Sequence, residues 1–183
     1  PISWENRLAI EGRHAELSGN QAGAIDAYAK LLTQHPDDLD AGLQLAAARR
    51  AAGKPRDALG TIDTLRKLPP PLGDDARLDL EEASTWQAMS DAPKALAAAA
   101  RGVARADASG SRLLLARAYN TKASAQILNA DYEQAKASAR EAQRAAEAVG
   151  DKTTVARALR NIGVACYYNG DPDCFVRNSE QAL

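Results

Sequence analysis

Gly19-Asn20-Gln21-Ala22-Gly23-Ala24-Ile25-Asp26-Ala27-Tyr28 and Gly53-Lys54-Pro55-Arg56-Asp57-Ala58-Leu59-Gly60-Thr61-Ile62 are the two stretches on which the reading of this 183-residue chain turns. Each opens with a glycine, places an alanine five residues on and is followed by a proline at the same distance. Gly19, Ala24 and Pro36 return as Gly53, Ala58 and Pro70, every step 34 residues. A glycine so placed closes a tight turn between antiparallel helices, the small alanine lets the second helix approach the first, and the proline stops the second helix. The unit is a helical hairpin. It cannot bury its apolar face alone, so hairpins of this kind must stack.

The pattern loosens downstream but continues. Ser90-Asp91-Ala92-Pro93-Lys94-Ala95 replays the turn and the small residue, with Ala95 37 residues after Ala58 because Pro69-Pro70-Pro71 and Leu72-Gly73 lengthen the linker. Ala130-Asp131-Tyr132-Glu133-Gln134-Ala135 replays it 40 residues later. Asn161-Ile162-Gly163 and Gly170-Asp171-Pro172 mark a fifth unit, in which Phe175 stands where a small residue is normal, so the last hairpin must pack differently. First helices are expected near 4–18, 38–52, 75–89, 110–129 and 151–169, and second helices near 21–35, 55–67, 92–106, 132–149 and 172–183. Asp37, Asp74 and Asp75 read as N-cap or first-turn acids, and Gly53 and Gly150 fall where helix ends want a left-handed residue. No strand-like alternation competes.

Composition agrees with an all-helical chain. Hydrophobic residues make up 45% but aromatic ones only 4%, the balance being rich in alanine, which suits close helix packing. The net charge of −1 gives no general attraction to nucleic acid or an anionic membrane, yet it is unevenly spread. Residues 1–100 carry 11 Lys/Arg against 15 Asp/Glu, and residues 101–160 carry 11 against 6, a basic segment inside a neutral whole. No apolar run reaches the roughly 18 residues of a membrane span, and Pro1-Ile2-Ser3-Trp4-Glu5 has no signal-peptide character. The chain reads as an excerpt of a longer protein.

Catalytic, cofactor and metal constellations are not legible. His14 and His35 stand apart from any Cys or carboxylate set at metal-ligand spacing and read as surface residues, and no phosphate cradle, GxSxG elbow or HExxH helix occurs. No cofactor is implied. Glu81-Glu82 and Asp37-Asp38 are adjacent, so on a helix they diverge. Trp4, Trp86, Tyr28, Tyr132 and Ile162 read as core or end-cap residues.

Cys166 and Cys174 are the only two cysteines and lie eight residues apart. In the hairpin register they face each other across the last turn, within bridging reach for helices about 8–10 Å apart. They read either as a disulfide pinning the last hairpin or as two free buried thiols serving as small apolar residues. A bridge would place the domain in an oxidising compartment.

The 34-residue period and its anchors resemble the tetratricopeptide (TPR) repeat family, most closely over residues 5–70. The resemblance implies a right-handed superhelical α-solenoid of about five hairpins, in one domain with units near 4–36, 37–70, 74–107, 110–150 and 151–183. It also implies a non-enzymatic module that takes a protein or peptide along the inner face of its first helices. That face carries over to Asn6, Ala9 and Arg13; to Asp40, Leu43, Ala47 and Arg50; and to Arg77, Leu80, Ser84 and Gln87. In the last two units it carries over to Arg117, Asn120, Ser124 and Ile127, and to Arg157, Arg160, Val164, Tyr167 and Tyr168. Arg77, Arg117 and Arg157 repeat at steps of 40, an arginine row that suits an acidic peptide or else serves solubility and repeat-to-repeat ion pairs. The row departs from the carboxylate-clamp TPRs of chaperone adaptors, whose Lys and Asn residues are arranged differently.

The wording of Arg7-Leu8-Ala9-Ile10-Glu11-Gly12-Arg13, of His35-Pro36-Asp37-Asp38-Leu39-Asp40-Ala41-Gly42-Leu43 and of Leu65-Arg66-Lys67-Leu68-Pro69-Pro70-Pro71 is similar to the C-terminal TPR regions of proteobacterial winged-helix regulators and Ser/Thr protein kinases. That resemblance implies a sensory module of a bacterial signalling protein, periplasmic and anchored through a membrane span outside this stretch. The alternative is a cytoplasmic scaffold for complex assembly. Neither reading has this domain bind nucleic acid or insert into a membrane, and oligomeric state is left open.

Overall fold

A computed structural model describes residues 2–182, which form ten α-helices in sequential hairpins. They are α1 (Trp4–Leu17), α2 (Gln21–Gln34), α3 (Leu39–Ala51), α4 (Pro55–Leu65), α5 (Ala76–Ala88), α6 (Ala92–Ala108), α7 (Arg112–Leu128), α8 (Tyr132–Glu147), α9 (Lys152–Tyr168) and α10 (Pro172–Gln181). A short 3-10 turn, Leu72–Asp74, follows the proline run. The chain divides inside α5, between Glu81 and Glu82, into two compact units.

One device makes all five hairpin turns. The second residue after each first helix takes a left-handed φ, at Gly19, Gly53, Ser90, Ala130 and Gly170. The amide of the next residue then reaches back to the carbonyl five residues earlier: Asn20 to Ala15, Lys54 to Arg49, Asp91 to Trp86, Asp131 to Gln126, and Asp171 to Cys166, at 2.8–3.0 Å. This satisfies carbonyls that the helix end leaves bare. In three of these turns that same residue then caps the second helix. The side chains of Asn20, Asp91 and Asp171 accept from the amides of Gly23, Lys94 and Cys174. Lys54 gives no such bond, and Pro55 at the first helical position removes one amide that would have needed it. The cap of α3 is Asp38 rather than Asp37, and Asp75 accepts from an amide at the start of α5. At α3 the acid nearer the helix is the one in reach.

Packing follows from the small residues. Ala24, Ala58, Ala95 and Ala135, each five residues past the left-handed turn, are wholly excluded from water. A second approach comes from Gly12 in α1, where an added Cβ would lie 2.6 Å from Tyr28 Cε1. That ring is buried, and burial together with the neighbouring Glu16 pushes its phenol up to about 12.

The two units differ in what fills them. The first has large side chains: Tyr28, Leu31 and Leu45 in one cluster, Leu39, Ile62, Leu65 and Leu78 in another. The second is built on alanine, with Ala83, Ala95, Ala98, Ala99 and Ala125 in one cluster and Ala123, Ala139, Ile162 and Cys166 in another. In the fifth hairpin Phe175 occupies the alanine position and is 37% exposed, because a ring cannot enter a slot sized for a methyl group. Its neighbour Cys174 is buried instead. Trp4, read from sequence as core or end cap, is 44% exposed and stacks on His35 at 6.0 Å.

Ser90 and Ala130 hold φ of 58° and 61° with side chains that disfavour it by roughly 1–2 kcal/mol. Replacing Ala130 by Gly should therefore raise stability by about 1 kcal/mol, read as a later urea midpoint at unchanged slope; an earlier midpoint would contradict this account of the turn.

Candidate functional site

The first-helix face of the second unit is set by one side chain. Asn161, buried on α9, donates its amide to Asn120 Oδ1 at 3.0 Å, to the Asn120 carbonyl at 3.3 Å and to Ser124 Oγ at 3.1 Å, both on α7. Ser124 Oγ in turn donates to the Asn120 carbonyl. The pair α7–α9 is thereby keyed in register, residue 161 opposite residues 120 and 124. One turn earlier on each helix stand Arg117 and Arg157, both exposed. Arg117 Nε is 4.0 Å from Asp151 Oδ2, a loose pair. Among the described residues Arg157 and Arg160 have no ion-pair partner. Asp151 is held below the usual carboxylate range, first by bonds from Thr154 side chain and backbone, with Arg117 a smaller cause. Further along the face, Gln87 on α5 donates to the Thr121 carbonyl at 3.2 Å.

Arg77 belongs to the first unit and is already engaged. Its guanidinium donates to Asp75 at 2.9 and 3.0 Å and to Asp40 at 2.5 Å. Burial alone would raise the Asp75 carboxyl, but the bonds from the Arg77 side chain and amide outweigh it and leave Asp75 lowered. Arg50, on the expected inner face of α3, donates to Glu81 at 2.7 Å. The first unit's face is thus acid and base already matched, whereas Arg117 is only loosely paired and, among the described residues, Arg157 and Arg160 hold no carboxylate.

Tyr167 and Tyr168 are 62% and 58% exposed. Tyr168 stacks on Tyr132 with centroids 5.1 Å apart, and Tyr167 leans on Phe175 at 5.7 Å. They form an aromatic edge at the turn end of the last two hairpins, Tyr168 seven residues beyond Asn161 and so nearly on the same side of α9. Beneath it Cys166 and Cys174 are joined as a disulfide, with Cα atoms 5.8 Å apart. Among the described residues Cys166, Asp171 and Cys174 are the one trio close enough to share a metal ion, and there the two sulfurs are bonded to each other. The contribution of Asn161 was not legible from sequence, since its partners lie 37 and 41 residues away.

Solved structures share this architecture. The crystal structure of the MamA protein superposes with a TM-score of 0.61 at 21% identity, covering 98% of this chain and 90% of that one. A Podosopora anserina protein described as a kinesin light chain with nearly identical TPR-like repeats superposes with a TM-score of 0.71 at 14% identity, covering 100% and 95%. The fold is TPR-like. At these identities the likeness speaks for fold alone. No family model matches the chain. No curated protein matches it either.

Two measurements bear on these contacts. Intact mass without reductant should fall short of the reduced mass by two hydrogens, and reduction should cost about 2–3 kcal/mol of stability for a loop this short; free thiols in unreduced protein would contradict the bridge. Because Asp75 is lowered in the folded chain, its stabilisation is present above the ordinary value near ~4 and is lost as pH falls through the folded value. Asp75→Asn should therefore be less stable than the native chain at pH 7, with the gap narrowing as pH falls below the ordinary carboxylate value; a constant gap would reject the linkage.

Proposed function

We propose that this chain is a non-enzymatic binding module which takes an acidic peptide or protein segment along the α7–α9 face. The observation that carries the reading is the Asn161 bond set: it fixes two first helices side by side and leaves Arg117 and Arg157 exposed one turn away, with Arg160 beside them. A guanidinium offers a planar pair of N–H groups to a carboxylate, and charge-assisted bonds of this kind are among the stronger ones. Asn120 and Ser124 are held by Asn161 and act as positioning residues, while Tyr167 and Tyr168 offer an aromatic rim to an apolar part of the same partner.

The wider setting we propose is the sensory part of a bacterial signalling protein, a kinase or a transcription regulator, in which these repeats form one domain outside the cytoplasm. Two things support it: the wording of the first two hairpins, and the Cys166–Cys174 bridge, since disulfides persist in oxidising compartments. No described helix is long and apolar enough to cross a membrane, so an anchor would belong to another part of the protein. A cytoplasmic scaffold is the competing reading, and it would carry the two cysteines as thiols.

Replacing Arg117 and Arg157 together by Ala should weaken capture of a labelled glutamate-rich peptide by about tenfold or more and flatten its salt dependence. Anisotropy titrations at two salt concentrations measure both, and unchanged affinity would reject the face.

A further inference from the structure

Arg49 and Arg50 follow one another on α3 and so leave the helix about 100° apart. Arg50 finds Glu81. Arg49 turns into a groove of about 760 Å³ between α2 and α4, where Leu32, Pro36 and Leu45 are among the apolar walls. There its Nη1 donates to Thr61 Oγ1 at 2.5 Å and to the Asp57 carbonyl at 3.4 Å. Both acceptors are neutral, and among the described residues no carboxylate pairs with Arg49. Arg50, Arg66 and Arg77, the other half-buried arginines of the first unit, each hold a carboxylate. Arg49 therefore pays part of its desolvation without a counter-charge, and an incoming anion would supply one.

The groove also says which anion. Thr33, Thr61 and Thr64 each donate their hydroxyl to a carbonyl of their own helix, so they present lone pairs rather than donors. A phosphate, with acceptors on every side, would meet few donors here. A carboxylate needs only the one fork formed by the N–H groups of Nη2 and Nε, and a nearby aliphatic group would find the apolar wall. Arg56 adds a second cation at the rim, and Asp57 is the one acid among the lining residues. The groove is of ordinary ligand-site size.

We propose that the α2–α4 groove binds a partner segment that carries an acidic residue beside aliphatic ones, with the carboxylate forked by Arg49 and its neighbours lying on Leu32, Pro36 and Leu45. This site uses none of the residues of the α7–α9 face and does not depend on it.

The probe is a short labelled peptide of leucine and glutamate, with its leucine–glutamine counterpart as control, titrated against the full chain already carrying Arg117→Ala and Arg157→Ala so that the other face is silent. The glutamate peptide should bind at least tenfold more tightly than the control, lose at least tenfold on Arg49→Met, and lose a few-fold on Arg56→Gln, which leaves the Thr61 contact in place. In the unaltered chain the same peptide should shift the Arg49 side-chain Nε–H resonance. Equal binding by Arg49→Met, no movement of the Arg49 resonance, or an equal shift with acetate or inorganic phosphate alone would overturn the proposal. If Arg49→Met fails to fold, the resonance shift and Arg56→Gln decide by themselves. Loss of the α7–α9 reading would show as unchanged binding in the double Ala variant's own comparison, and it leaves this outcome independent.

Discussion

The closeness with which a second helix can lie on its first is the constraint on which the rest of this structure depends. Ala24, Ala58, Ala95 and Ala135 have no contact with solvent, and each sits a fixed five residues beyond a left-handed turn residue. The turn fixes the direction of the returning helix, and the methyl-sized side chain fixes its distance. A larger group at such a point must be accommodated by shifting a backbone or must turn away. Phe175 turns away, and the hairpin it belongs to is held by a covalent link between its helices. Where the alanine is present, the same spacing brings the next first helix alongside, and side chains such as Asn161 then find partners some forty residues away.

Residue type carried the local part of this arrangement. Gly19, Gly53 and Gly170 announce their turns because few other residues adopt that backbone, and the alanines announce close packing because a lone methyl group is the smallest side chain that still favours a helix. Ser90 and Ala130 make the same turn without any such signature; only the repeat, read from Gly19 and Gly53, points to them. Caps were legible to within one residue, since adjacent acids such as Asp37 and Asp38 compete for one amide and local geometry chooses. The candidate site was less legible. Register alone puts Arg77, Arg117 and Arg157 in equivalent places, but a guanidinium's state depends on what other helices present to it. Asp40, 37 residues before Arg77, is not marked as its partner by anything in the chain. The Arg49 groove is illegible for the same reason: what marks it is that no carboxylate among the described residues pairs with Arg49, which a sequence does not display.

Charge is arranged differently in the two units. In the first, Arg50, Arg66 and Arg77 are bound to carboxylates, and half-buried cations so matched contribute to order more than to recognition. In the second, the local excess of basic residues leaves arginines on α7 and α9 facing water. Some of its acids lie where helices begin, as with Asp151 at the start of α9 and Asp171 at the start of α10, and there they serve amides before they serve guanidinium groups. Residues 101–160 thus keep a surplus of basic side chains, 11 Lys/Arg against 6 Asp/Glu.

The bridge between Cys166 and Cys174 also bears on how this domain would carry load. A tension applied to the backbone beyond residue 174 reaches Cys166, inside α9, through sulfur, without first straightening the turn between them. The eight-residue connection is thereby taken out of the extensible length, and Asn169, Gly170 and Asp171 keep their bonds while force passes by. The same tension would arrive on α9 one and a half turns from Asn161, the residue that keys α9 to α7. A pull transmitted to Cys174 would be felt at the α7–α9 contact before the turn between residues 166 and 174 was drawn out.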